Sequence, residues 1–506
     1  MFRMRIAAAA LAALPLAACN VGPDFLPPVS GLPSIPFPSP ASATSSKEAT
    51  ASVASSKAPD PKWWNVFRDP MLTSLEQRVA TANLDVRTAT LRIAESRFQR
   101  GVVASAELPS VNGSAKYQRE LFSQNGISSL LGGLIPGGSG APAIAPINEY
   151  TTGFDASWEI DLWGRVRRQV EAADAQVEET EEQRRDTLIS VLAEVARDYI
   201  QLRGAQALLN NANENLKVEQ DLLDLTRTRQ EKGLTTGLDV ENAAAQVDGV
   251  RAQIPAFEQQ EAQEINALSL LLDLPPNALR GQLVRIRAVP PTPARVPVGV
   301  PSELARRRPD IRLAEEKLHE QTADIGVAVA SFYPSLQLNG TLVLDALDFK
   351  NLFKANSLQY AAGPSLTLPI FEGGKLTSQL ELTKAQQQEA AIAYHKTVLQ
   401  AWHDVVNALV AYRTEQERRA RLASQIEHSQ EALTLARARY SDGVADFTTV
   451  LDTARTVLQA QELHVQSTVN VSTDLVQLYK ALGGGWEPVF SGKADDAASA
   501  QTLVLR

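Results

Sequence analysis

Cysteine is almost missing from this chain. Among 506 residues there is one, Cys19, so no internal disulfide can form and packing must hold the fold together. No Lys/Arg block offers a phosphate-neutralising stripe and the formal charge is −9, which argues against a nucleic-acid partner. Catalytic signatures are absent as well. The five histidines, His319, His395, His403, His428 and His464, are scattered over helical patterns without HExxH or another metal spacing, and read as lone surface residues. No Gly-rich phosphate loop follows a strand, and Gly483-Gly484-Gly485 only ends the last helix. Behind residue 18 the single methionine, Met71, cannot make a Met-rich lining for soft metals. The expectation is a non-enzyme with no cofactor. With 44% hydrophobic and 21% charged residues, it has the material for a large ordered core.

What is present starts at the N-terminus. Arg3 and Arg5 precede a short apolar run over 6–16, then Ala17 and Ala18, which describes an export signal over 1–18, too short to span a bilayer permanently. Leu16-Ala17-Ala18-Cys19 resembles a bacterial lipobox, whose cysteine is lipidated and becomes the first residue. Loss of the two arginines leaves a mature charge near −11. Asn20, rather than Asp, favours the outer membrane by resemblance to lipoprotein sorting patterns. Residues 27–62 are rich in Pro, Ser and Ala, so 19–62 reads as an extended, lipid-anchored tether.

The first structural repeat covers 63–273. Trp63-Trp64 open it, packed against neighbouring helices, and Asp69-Pro70 starts a helix to about 105. The period then changes to two. Val111, Gly113, Ala115 and Tyr117 alternate with polar residues over about 110–121; Tyr150, Thr152, Phe154, Ala156, Trp158, Ile160 and Leu162 do so over about 149–162. A Gly/Pro/Ser-rich loop lies between these strands. Residues 164–231 contain no proline, and apolar residues recur in steps of three and four at Val166, Val170, Ala173, Val177, Leu188, Val191, Val195, Tyr199 and Leu202. That spacing predicts a helix of roughly 68 residues, on the order of 100 Å long. A turn, Gly233-Leu234-Thr235-Thr236-Gly237, reverses it into a helix over about 238–272, which Pro255 should kink or briefly break.

A Pro-rich connector, 274–301, leads to a second repeat over 302–483, with a tail over 484–506. Phe332-Tyr333-Pro334-Ser335-Leu336 echoes Glu107-Leu108-Pro109-Ser110-Val111, and Arg439-Tyr440-Ser441-Asp442-Gly443 stands 210 residues after Arg229-Gln230-Glu231-Lys232-Gly233. Strands are expected at about 335–345 and 358–370, and a second long hairpin over 372–483. Four strands of this length, each apolar on one face, suit a tilted transmembrane barrel, but four cannot close, and open edges are not tolerated in lipid. Other copies of the chain must complete the barrel. A soluble protein with two small sheets would not explain the strand length.

Cys19-Asn-Val-Gly-Pro-Asp-Phe25, Trp63-Trp64-Asn-Val-Phe67, Arg308-Pro309-Asp310-Ile311, Phe332-Tyr333-Pro334, Phe371-Glu372-Gly373-Gly374 and the run from Arg439 through Gly443 to Val450-Leu451-Asp452 together resemble the TolC-type outer membrane factors. The match is to their lipoprotein branch, the OprM- or NodT-like channels, over essentially the whole mature chain. The resemblance implies a membrane α+β fold: a homotrimeric twelve-stranded outer-membrane β-barrel, four strands per chain, continued by a long periplasmic α-helical barrel, with an internal two-fold repeat. It implies a passive channel of a tripartite efflux system, with a periplasmic adaptor and an inner-membrane transporter of the RND type as partners. The alternative is a lipid-anchored coiled-coil scaffold without a pore. The resemblance assigns adaptor docking to the turn residues Gly233, Leu234, Thr235, Thr236, Gly443, Val444 and Ala445, with Asp446 closing the second turn. It assigns a periplasmic gate to Asp239, Tyr440 and Asp452. The chain departs from some members at Ala445, where they carry arginine, and at Thr449, where they carry a carboxylate. An N-cap role for Asp239 is compatible with the gate.

Overall fold

The computed structural model describes residues 20–32, 53–121, 123 and 146–490. The expected signal peptide, the lipidation site Cys19 and most of the loop between the first two strands lie outside these residues. In chain order the elements are β1 (Val53–Ser55), α1 (Pro70–Ala82), α2 (Leu84–Ala104), β2 (Ser110–Glu120), β3 (Ile147–Ile160), α3 (Arg165–Glu231), α4 (Gly237–Leu271), β4 (Arg295–Pro297), α5 (Pro309–Ala330), β5 (Ser335–Ala346), β6 (Leu358–Thr367), α6 (Lys375–Ser441) and α7 (Phe447–Ala481). The long helices match in both halves. Helices α3 and α6 have 67 residues each, α4 and α7 have 35 each, and the second member of each pair starts 210 residues after the first.

The chain divides into two compact units. The first comprises Met1–Pro27, Ser96–Val177 and Glu316–Ala391. It holds one antiparallel sheet in the order β2-β3-β5-β6, so β2 and β6 are both open edges. The register aligns the period-two patterns of all four strands. Gly113, Phe154, Leu342 and Tyr360 form one apolar rung, and Val111, Ala156, Gly340 and Ala362 another; on the opposite face Asn112, Asp155 and Thr341 stand side by side. A one-residue slip in any strand would mix the faces.

Residues 21–25 lie against this unit and do not hang free, which corrects the extended tether over that stretch; residues 33–52 of the expected tether lie outside the described residues. The Val21 amide donates to the Trp163 carbonyl at 3.1 Å. The buried Arg168 guanidinium donates to Asp24 at 2.6 Å, and the Phe25 ring stacks on His319 at 4.4 Å. His319 also meets Glu171 and Glu316, so it is not a lone surface histidine. Farther along, β1 pairs in parallel with β4.

The second unit comprises Pro28–Glu95, Glu178–Glu315 and Ile392–Arg506. Its core forms where the apolar stripe of α3, at Leu188, Leu192, Val195, Tyr199 and Leu202, meets Val398 and Val405 of α6 and Leu475 and Leu478 of α7. Trp63 stacks on Tyr479 at 5.5 Å, as the aromatic pair predicts. Three local expectations change. The helix expected from Asp69 to about 105 is two helices, because the Asn83 carboxamide accepts from the Asp85 and Val86 amides and donates to the Leu271 carbonyl, stopping one helix and capping the next. Helix α4 does not break at Pro255, which is exposed, so the carbonyl freed by its missing N–H faces water. The described start of the tail is folded: Trp486 donates to the Arg307 carbonyl, while the Arg184 and Arg185 guanidiniums lie over Phe490 and Trp486. Burial lowers the pKa of His464, with help from Arg419, so it too departs from a surface histidine.

Candidate functional site

Two features of the chain can do work: a sheet with one polar and one apolar face, and a pair of turns at the ends of the long helices. On the polar face, Asn112 donates to the Asp155 carboxylate at 3.2 Å, the Ser157 hydroxyl to Asn339 at 3.0 Å, and Asn339 to the Ser365 hydroxyl at 3.1 Å. Side chains that bond one another in this way suit contact with water. On the other face Phe154, Leu342 and Tyr360 are 61%, 49% and 77% exposed, an apolar surface of the kind that lipid or another protein covers.

Both turns close by the same mechanism. At the end of α3 the Gly233 amide donates to the Gln230 carbonyl and the Leu234 amide to the Arg229 carbonyl; at the end of α6 Gly443 donates to Tyr440 and Val444 to Arg439. This is the Schellman arrangement, which needs a left-handed residue, and Gly233 and Gly443 have φ of 69° and 74°. Leu234 and Val444 then stand 64% and 66% exposed.

The next helices start differently. Thr236 caps α4 and Asp239 returns the bond: its carboxylate accepts from the Thr236 amide at 3.2 Å, the Thr236 hydroxyl at 3.0 Å and the Thr235 hydroxyl at 2.5 Å. Slight burial raises the Asp239 pKa, but these donors outweigh it and the net shift is downward. Asp239 is therefore the third residue of a capping box, not the N-cap. Asp446 begins α7 without a side-chain cap bond.

Of the expected gate residues, the structure joins two. The Tyr440 hydroxyl donates to the Thr235 hydroxyl oxygen at 3.4 Å, and Thr235 in turn holds Asp239. Asp452 is separate: it stands exposed on α7, and its side chain has no hydrogen bond or ion pair among the described residues. The sequence reading missed Arg229 and Phe447. Arg229 lies 4.5 Å over the Tyr440 ring and donates to the Ser441 carbonyl; the Phe447 ring lies 5.5 Å away. Leu222, Leu223, Val247, Val450 and Leu451 complete this small core between the hairpins. The one signal that could have found Arg229 is its place 210 residues before Arg439.

A family model described as outer membrane efflux protein matches residues 75–273 and 300–484. The chain belongs to that family. Its relatives include a probable efflux pump outer membrane protein, TtgC of Pseudomonas putida, 31% identical over 97% of this chain and 98% of that one. Outer membrane protein OprJ of Pseudomonas aeruginosa is 31% identical over 95% of both chains. The solved outer-membrane channel OprN superposes with a TM-score of 0.81 at 32% identity, covering 93% of this chain and 100% of that one. This efflux protein is accordingly a transporter of the Gram-negative outer membrane.

Proposed function

We propose that three copies of the chain close a twelve-stranded barrel in the outer membrane, continued by a helical barrel into the periplasm, and that this trimer is a passive conduit of a tripartite efflux system. The carrying observation is the sheet: four antiparallel strands with the outer edges of β2 and β6 open and one face apolar from Ile160 to Tyr150 except at Thr152. Exposed edges are not tolerated in lipid, and small barrels need about eight strands or more, so closure has to come from further copies. The equal helix lengths and the 210-residue offset support a two-fold internal repeat. A covalent lipid on Cys19 fits this arrangement, because Val21 is bonded to Trp163, three residues past the end of β3.

Docking of a periplasmic adaptor is assigned to Gly233, Leu234, Thr235, Thr236, Gly443, Val444 and Ala445, supported by the exposed Leu234 and Val444 on matching turns. An inner-membrane transporter of the RND type would supply the energy. Tyr440, Asp239 and Asp452 are assigned to the gate, Tyr440 by tying the two hairpins together and the carboxylates by repeating around the axis as charged rings. The cargo is a drug or another toxic compound. Native mass spectrometry should give a trimer, and planar bilayers should record conductance that Asp239→Ala with Asp452→Ala alters. A trimer that never conducts would leave only the pore-less scaffold.

A further inference from the structure

The apolar face of the sheet ends in aromatic rings on the side away from the long helices. Past Phe154 and Leu342 it reaches the rung of Tyr117 and Tyr150, whose rings lie 4.9 Å apart. The turn between β5 and β6 leans onto this face: the Phe349 ring meets Tyr150 edge-on at 5.5 Å, and Phe353 meets Phe349 at 6.3 Å. Leu347, Phe349 and Phe353 stand 61%, 62% and 72% exposed, so the turn presents apolar side chains outwards. From Ile160 to Tyr150 the face runs about 33 Å along β3, or about 25 Å of height at a tilt near 40°. That is the height of the apolar band of an outer-membrane barrel, and the rings sit at its rim.

Cations stand just beyond the rim. Arg119 follows Tyr117 on the same face of β2, about 7 Å farther out, and is exposed. Lys350 follows Phe349 and Lys354 follows Phe353, both exposed. Lys354 Nζ donates to the Asn351 side chain at 2.8 Å, whereas Arg119 and Lys350 have no side-chain partner among the described residues. Asp348 is the single carboxylate of the turn, and the nearby Glu120, Glu149 and Asp345 fall on the opposite, polar face. Rings at the edge of an apolar band with free cations directly outside them suit a lipid phosphate, whose oxygens accept charge-assisted hydrogen bonds.

We propose that Arg119, Lys350 and Lys354, with Phe349 and Phe353 beside them, bind the phosphates of a glycolipid in the outer leaflet of the membrane. This contact rests on the barrel reading above, in which the helices run into the periplasm and the opposite end of the sheet faces outwards. The outer leaflet of a Gram-negative outer membrane is built of a glycolipid with phosphates on its sugars and acyl chains beneath. Its anionic and apolar parts therefore come in the order in which the chain presents cations and rings. Strands β2 and β5 are two strand spacings apart, about 10 Å, so one disaccharide headgroup with a phosphate at each end can meet both Arg119 and the turn.

The test takes the full-length protein in mild detergent, with diphosphoryl lipid A, its monophosphoryl form and phosphatidylglycerol as probes; native mass spectrometry counts the lipids retained. Diphosphoryl lipid A should stay bound, and phosphatidylglycerol should not displace it. A cation at an anionic headgroup is worth about fivefold, so Arg119→Gln with Lys350→Gln and Lys354→Gln should weaken retention by on the order of a hundredfold. Lys350→Arg with Lys354→Arg should keep it, and the monophosphoryl form should bind the wild type several-fold more weakly. Trimer mass and conductance in planar bilayers report that each variant is folded. Unchanged retention by a conducting triple variant overturns the site, as does equal displacement by phosphatidylglycerol. Equal binding of the two lipid A forms to the wild type overturns it without any variant. A wild type that is monomeric and never conducts overturns the barrel reading, and the site with it.

Discussion

Tyr440 offers the sharpest test of how the two turns are held. Its ring is 5% exposed, with Arg229 stacked over it at 4.5 Å and Phe447 packed at 5.5 Å, inside a cluster of nine buried residues. Truncating a buried aromatic to alanine costs about 3–5 kcal/mol. Here the loss falls on a satellite core far smaller than the main one, so it appears as local opening of the hairpin ends rather than global unfolding. At about 1.4 kcal/mol per tenfold change, Tyr440→Ala should speed amide exchange in the last turns of α3 and the first turns of α7 by between about a hundredfold and about four thousandfold. Tyr440→Phe removes only the 3.4 Å hydroxyl bond to Thr235, worth about 1 kcal/mol or less, so exchange should rise less than about tenfold. Hydrogen–deuterium exchange with mass spectrometry reads both. Exchange in Tyr440→Ala within about threefold of wild type would show that the ring does not hold the hairpins together.

Other outcomes follow from the same physics. Arg308, with 12% of its side chain exposed, donates to Asp310, Asp404 and the Ala481 carbonyl; Arg308→Ala should cost about 3–5 kcal/mol and lower Tm, and Arg308→Lys should not restore it, since one ammonium cannot reproduce the planar fork. Burial, then the Asp198 charge, push Glu264 up to about 7 against the opposing Arg197. Its folded pKa is raised, so its stabilising contribution is complete below about pH 4.5 and lost as pH rises through about 7. Thermal melts of Glu264→Gln should therefore gain over wild type above pH 7 and not below about pH 4.5. On the apolar sheet face, Phe154→Arg should reduce insertion into the outer membrane, by up to about 2–4 kcal/mol at mid-bilayer depth, whereas Asp155→Asn on the polar face should leave insertion intact and change ion selectivity; membrane fractionation and reversal potentials measure the two.

The sequence by itself determined the local elements. Period two named the four strands, steps of three and four named the helices, and glycine named both turns, because each of these is a property of neighbouring residues. Tertiary structure decided whatever depends on partners distant in sequence. That polar and apolar faces agree across all four strands is a matter of register between segments up to about two hundred residues apart. The helix break at Asn83 depended on a carbonyl from Leu271, and the docking of residues 20–25 on Arg168 and His319. The Asp239 carboxylate could be read as an N-cap or a gate charge, and only the geometry made it the returning half of a capping box tied to Tyr440 through Thr235. Periodicity is written within one segment; which segments meet is settled by the burial they achieve together.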